Sequence, residues 1–204
     1  MPAERDSAVV AGVVLAAGTS SRMGRNKLLL PLGKQSVVRR AVGTALAAGL
    51  EPLLVVLGHE SERVQAELAG LRYTPVLNPK YAQGINTSLR CGIAAVPAQA
   101  QAALVMLADM PFVTSDMVRA VVERYRGGTS PLVVSSYDGV DAPPMLYDKS
   151  LFAELLALEG DGCGKRVVRR HRLESLQVPW PASALADLDV PADVAAALAE
   201  LGGL

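Results

Sequence analysis

Apolar runs of strand length alternate along this chain with stretches patterned for helices, and that alternation limits the fold more than any other feature. GVVLAA at 12–17, PLLVVLG at 52–58, YTPVLN at 73–78, AALVMLAD at 102–109 and PLVVSSY at 131–137 place apolar residues at consecutive positions, as in strands buried on both faces. Between the first two, QSVVRRAVGTALAAG sets Val37, Val38, Ala41, Val42, Ala45 and Leu46 on one helical stripe, with Gly49 as its C-cap. SERVQAELAG and TSDMVRAVVERYRGG repeat the design, the latter with Thr114 or Ser115 as N-cap and Gly127 beyond its end. Repeated strand and helix predict an α/β fold, a single doubly wound, mostly parallel sheet with helices on both faces, because right-handed crossovers leave few other layouts. After about residue 140 the regularity falls. APPMLYDKS reads as an extended segment ending at a helix N-cap, Ser150, LFAELLALEG as a short helix, 179–186 as an irregular surface connection, and PADVAAALAELGGL as a helix.

The 204 residues, half of them apolar, suit one sizeable core and one domain spanning 1–204. Twenty basic residues balance twenty acidic ones, so no global field draws the chain to nucleic acid or to a membrane surface. An anionic ligand must then be held locally. Cys91 and Cys163 lie far apart without CxxC spacing, which argues against a zinc knuckle or redox pair and for free thiols in a reducing, cytoplasmic setting. The run AVVAGVVLAAG has the look of a signal-peptide core, but Arg5 stands between Glu4 and Asp6 rather than in a positive flank, and the run is too short to span a bilayer.

That run breaks into a loop, GTSSRMGRNK at 18–27, where backbone N–H groups can hold phosphates without side chains in the way. Two familiar phosphate loops do not fit. Five residues separate Gly18 from Gly24, no third glycine completes a GxGxxG, and Lys27 is followed by Leu28 rather than the Ser or Thr of a Walker A motif. What remains is a glycine loop flanked by two fixed cations, Arg22 and Lys27.

LAAGTSSRMGRNK resembles the LAAGxSxRMGxxK signature of nucleotidyltransferases with a GT-A-like, Rossmann-related fold. NPKYAQGINTSLRCGI at 78–93 resembles the NPxYAQGMxxS segment of the molybdenum cofactor cytidylyltransferases, with Ile85 in place of the methionine. LADMP at 107–111 resembles their metal-binding motif, and ADLDVPADV at 186–194 their DIDTPEDL. The match thins in the last third, where Ala142, Pro143 and Pro144 stand for GxP and GDGCGKR at 160–166 carries one residue more than GDxGxR. The resemblance implies that the part up to about residue 110 binds nucleotide and metal, and that the remainder shapes the acceptor pocket.

Carried over residue by residue, the resemblance implies that Leu15, Ala16, Ala17, Gly18, Arg22, Lys27, Asn78, Gly84 and Ser88 meet a nucleoside triphosphate, with Arg22 and Lys27 on its outer phosphates, although an Asn before Pro such as Asn78 is also a routine turn former. Asp109 follows an apolar strand and on position alone is a turn former before Pro111 or a ligand for Mg²⁺; the resemblance makes it the ligand, and catalytic. Asp189 is a second ligand or a turn residue before a helix. Lys165, Arg166, Arg169 and Arg170 at helical spacing form an anion-binding face for the acceptor or a solvated helix end. His59 and His171 are read as surface residues, and no Ser/His/Asp arrangement suggests itself. The expected activity is Mg²⁺-dependent transfer of CMP from CTP to molybdopterin, with transient contact to an apo-molybdoenzyme. The rivals are a GTP-using guanylyltransferase, a transferase for another phosphorylated acceptor such as a sugar phosphate, and a non-catalytic maturation factor that carries the cofactor.

Overall fold

The computed structural model describes residues 5–20 and 24–185. Arg22, Asp189 and the expected last helix lie outside the described residues. In chain order the elements are β1 (Val10–Ala16), β2 (Pro31–Leu32), β3 (Gln35–Ser36), α1 (Val37–Ala47), β4 (Leu53–Leu57), α2 (Ser61–Glu67), β5 (Thr74–Leu77), α3 (Ile85–Ala94), β6 (Ala102–Leu107), α4 (Ser115–Arg126), β7 (Leu132–Tyr137), β8 (Val140–Asp148), α5 (Phe152–Leu156), α6 (Lys165–Arg170) and β9 (Leu176–Trp180). Seven of the strands form one sheet in the order β5-β4-β1-β6-β8-β7-β9, and β2 pairs with β3 in a small separate hairpin.

Every neighbouring pair in the large sheet is parallel except those made by β8, which runs against both β6 and β7. The sheet is therefore mostly parallel, as the alternation predicts. The apolar run that has the look of a signal-peptide core supplies β1, an interior strand between β4 and β6 that is buried at every position. Strand residues alternate between two cores, as a pleat requires. Val14, Val55 and Met106 pack with α1 and α4 on one face, while Val13, Val56 and Val105 pack with Leu89 of α3, Leu155 of α5 and Val167 of α6 on the other. Helices thus cover both faces.

The predicted helical stripes are the buried ones. Val37, Val38, Ala41, Val42 and Ala45 turn inward, and Ser36 caps α1 by accepting from the Arg39 N–H. Thr114 is the cap of α4 and accepts from the Met117 N–H. Gly92 lets α3 lie close on the sheet, because a Cβ there would stand 2.4 Å from Val13 Cγ1.

Three strands differ from the sequence expectation. β5 is not buried on both faces, since it is an edge strand paired only with β4, and Leu77 is 63% exposed. The extended segment after residue 140 is β8, folded back on β7 through Asp138 and Gly139, both at positive φ. Its two prolines fall where the β7–β8 register shifts, so the ladder needs no N–H from either. The region expected to be irregular near 179 includes the end of β9, an outer strand paired only with β7, where Pro179 is tolerated because of that edge position.

Candidate active site

A cleft of about 690 Å³ opens at the carboxyl ends of β1 and β6, lined by Leu15, Ala17, Gly18, Lys27, Gly84, Ser88, Asp109 and Asp161 among others. That is where open α/β sheets bind ligands. A second hollow of about 640 Å³ lies at the opposite pole, beside the starts of β4 and β5, with an exposed Arg72–Glu51 pair 3.8 Å apart. The chemistry gathers in the first.

The pleat of β1 determines which residues reach the cleft. Leu15 and Ala17 face it, whereas Ala16 packs into the opposite core, so of the expected nucleotide residues Ala16 offers only its backbone. A Cβ added to Gly18 would meet nothing within 4 Å, so protein packing does not require glycine there, and the backbone stays open to the cleft. Beyond it, Ser20 Oγ accepts from the Lys27 N–H at 3.0 Å, and Asn26, 4% exposed, caps the turn that follows by accepting from the Leu28 N–H at 3.1 Å. These bonds fix the root of Lys27.

Its ammonium reaches Asp109, with Nζ to Oδ2 at 2.6 Å and the two side chains 12% and 23% exposed. Two residues 82 positions apart, each singled out from its own motif, are thus in contact. Asp109 sits just past the end of β6, held there as the Ala108 N–H donates to the Leu15 carbonyl at 3.1 Å. Among the described residues no three His, Cys, Asp or Glu side chains converge as a preformed metal cage.

The segment 78–88 forms the facing wall. Gly84 and Ser88 line the cleft, but Asn78 does not; it is 1% exposed and its Nδ2 donates to Thr87 Oγ1 at 2.9 Å and Ser88 Oγ at 3.0 Å. It orients Ser88 instead. Gly58 leaves room for this wall, since a Cβ there would stand 2.6 Å from Tyr81.

The basic residues of α6 do not reach the cleft. Arg166 and Arg170 line a shallow groove against α5, and Arg170 pairs with Glu154 at 2.7 Å. His171 is clasped by Glu174 and Glu154 rather than loose at the surface; the hydrogen bond to Glu174, then that to Glu154, holds its pKa above the usual value against opposing burial. Asp161 is the cleft residue that sequence reasoning passed over. Beside it, burial pushes the Cys163 thiol up to about 12, with the Asp109 carboxylate adding to the effect.

The model of the MobA-like NTP transferase domain family matches residues 12–176. The chain belongs to that family. It is 30% identical over 139 residues to the molybdenum cofactor cytidylyltransferase of Escherichia coli (strain K12), covering 67% of this chain and 69% of that protein. The purine catabolism protein PucB of Bacillus subtilis (strain 168) is 29% identical over 192 residues, 88% of this chain and 91% of its own length. Among solved structures, Rv0371c from Mycobacterium tuberculosis H37Rv superposes with a TM-score of 0.84 at 27% identity over 95% of this chain and 99% of that one. The same protein is also known as a complex with manganese, at a TM-score of 0.77, 26% identity and coverage of 94% and 98%. Family and fold together make this chain a nucleotidyltransferase.

Proposed function

We propose that the protein transfers CMP from CTP to the terminal phosphate of molybdopterin, releasing pyrophosphate and forming molybdopterin cytosine dinucleotide. The observation that carries this is the Lys27–Asp109 contact of 2.6 Å in a glycine-edged cleft at the carboxyl ends of parallel strands. One side chain suits departing phosphates and the other suits a hard cation.

In this mechanism an oxygen of the acceptor phosphate attacks the α-phosphorus of CTP. A new P–O bond forms, the bond from the α-phosphorus to its bridging oxygen breaks, and pyrophosphate leaves with that electron pair. The attacking phosphate is largely ionised at neutral pH, its second pKa being about 6, so no general base is needed. Lys27, with Arg22 five positions before it in sequence, meets the negative charge that grows on the leaving group. N–H groups at Ala17 and Gly18 hold the phosphates.

A divalent metal fits the residues present. Asp109 already accepts a cation at one oxygen, and a single protein carboxylate completed by phosphates and waters is what Mg²⁺ favours. When bound, the metal supplies charge neutralisation on the triphosphate. Asp109 would hold it, with Asp189 as the second candidate. The manganese complex of the mycobacterial neighbour supports a divalent ion of this kind.

The choice of CTP rests on Ala17, a cleft-lining residue whose methyl would reduce the room beside a bound base or ribose. The choice of molybdopterin rests on similarity to the cytidylyltransferase. Mixing protein, Mg²⁺ and molybdopterin with each nucleoside triphosphate in turn tests both, read as pyrophosphate release. CTP is expected to be fastest. Faster release with GTP would make the protein a guanylyltransferase, and cofactor binding without release from any triphosphate would make it a carrier.

A further inference from the structure

The loop at 159–164 has a left-handed backbone at Gly160 (φ 67°), Gly162 (φ 119°), Cys163 (φ 44°) and Gly164 (φ 80°). Cys163 has a Cβ to strain that conformation, so the surrounding structure must hold it. The hold comes from the start of α3. Asn86, 3% exposed, uses both ends of its amide: Nδ2 donates to the carbonyls of Glu159 and Asp161, each at 3.1 Å, and Oδ1 accepts from the Gly164 N–H at 3.2 Å. The Ile85 N–H donates to Asp161 Oδ1 at 3.2 Å. A Cβ on Gly84 would stand 2.5 Å from that same oxygen. Gly84 and Ile85 thus meet the Asp161 carboxylate while Asn86 holds the backbone that carries it, and the carboxylate lines the cleft together with Lys27 and Asp109.

A bare carboxylate repels phosphates and meets them only through a metal, the task the transfer reading gives to Asp109. With Oδ1 held on the helix backbone, the plane of the group is fixed and Oδ2 is aimed by it. A fixed, solvent-reached carboxylate is suited to accepting from N–H groups, and a charged partner strengthens such bonds.

We propose that Asp161 accepts hydrogen bonds from the N–H groups of a heterocycle bound in the cleft, and that Asn86 is the positioning residue that presents it. The proposal rests on the transfer reading above, in which two heterocycles bring such donors, the base of CTP and the ring system of molybdopterin. The chemistry is common to both, and kinetics separates them.

Steady-state pyrophosphate release is measured for wild type, Asp161→Asn, Asn86→Ala and the double variant, varying CTP and molybdopterin separately. In Asp161→Asn the Ile85 N–H takes the amide oxygen, so an NH₂ faces the ligand's donor. The KM of one substrate rises about tenfold or more while kcat falls far less, as expected when a site built to pair a donor loses its acceptor. The substrate affected names the source. Asn86→Ala raises the same KM, and adding it to Asp161→Asn raises that KM no further, because the two residues act as one unit. Should Asn86→Ala not fold, Asn86→Ser replaces it, and the Asp161→Asn result stands by itself. KM values within about twofold of wild type in Asp161→Asn overturn the proposal. So does an Asn86 effect that adds fully to that of Asp161→Asn, or one confined to a lower Tm. No pyrophosphate release from wild type would instead sink the transfer reading.

Discussion

Lys27 and Asp109 hold each other at 2.6 Å in the free protein, and the proposed mechanism gives each a second task once substrate arrives. A metal at Asp109 would compete with Lys27 for the same carboxylate, and a triphosphate that takes Lys27 relieves Asp109 of that partner. Lys27→Ala should therefore strengthen Mn²⁺ binding to the free protein, read by electron paramagnetic resonance titration, while turnover falls. The charge Lys27 meets is greatest as pyrophosphate leaves, so kcat should fall more than CTP affinity, with a loss of about 2 to 4 kcal/mol in transition-state stabilisation. Near-normal kcat at saturating CTP would make the residue a structural partner of Asp109 and nothing more. Both residues were legible in the sequence because each stands in a motif of its own. Asp161 was not, for it sits in a glycine-rich loop that reads as a turn, and its contact with Ile85 spans 76 positions. Asn78 left two readings open, a ligand contact by resemblance and a turn former as an Asn before Pro, and the structure shows its Oδ1 accepting from the Lys80 N–H at 2.9 Å and its Nδ2 turned inward to Ser88.

At the scale of elements, the layered sheet was legible wherever the burial that makes strands and helices was continuous. β1, β4 and β6 are buried at nearly every position and announce themselves by consecutive apolar residues. β8 and β9 were less clear because their prolines break a strand pattern, and only the register shift and the outer position explain how each is accommodated. α3 matters most to the site, since its first turn carries Ile85, Asn86 and Ser88 and its middle rests on β1. Gly92→Ala should push that helix outward: a Cβ 2.4 Å from Val13 Cγ1 and 3.0 Å from Val56 Cγ2 overpacks two side chains that are fully buried. The cost should be about 1 to 3 kcal/mol. Thermal melts would show it as a Tm lowered by several degrees, and an unchanged Tm would mean that the sheet yields at no cost.

For the molecule as a whole, the clasp of His171 by Glu174 and Glu154 joins α5, the end of α6 and the turn that leads to β9, behind the loop that carries Asp161. A histidine whose folded pKa is raised adds stability that is fully present below its ordinary value of 6.5 and is lost as pH rises through the raised value. Glu154, its pKa lowered chiefly by the same histidine, remains ionised there. His171→Gln should then lower Tm more at about pH 6 than at about pH 9. An equal loss at both would show that the clasp acts by shape alone. The central claim is tested most directly by following the label of [α-³²P]CTP in the presence of Mg²⁺ and molybdopterin, with wild type and Asp109→Asn side by side. The account predicts that wild type moves the label into a molybdopterin dinucleotide with one pyrophosphate released per transfer, and that Asp109→Asn, folded normally, does so far more slowly with partial recovery at raised Mg²⁺. Label that stays in CTP with wild type, or moves as fast with Asp109→Asn, would contradict it.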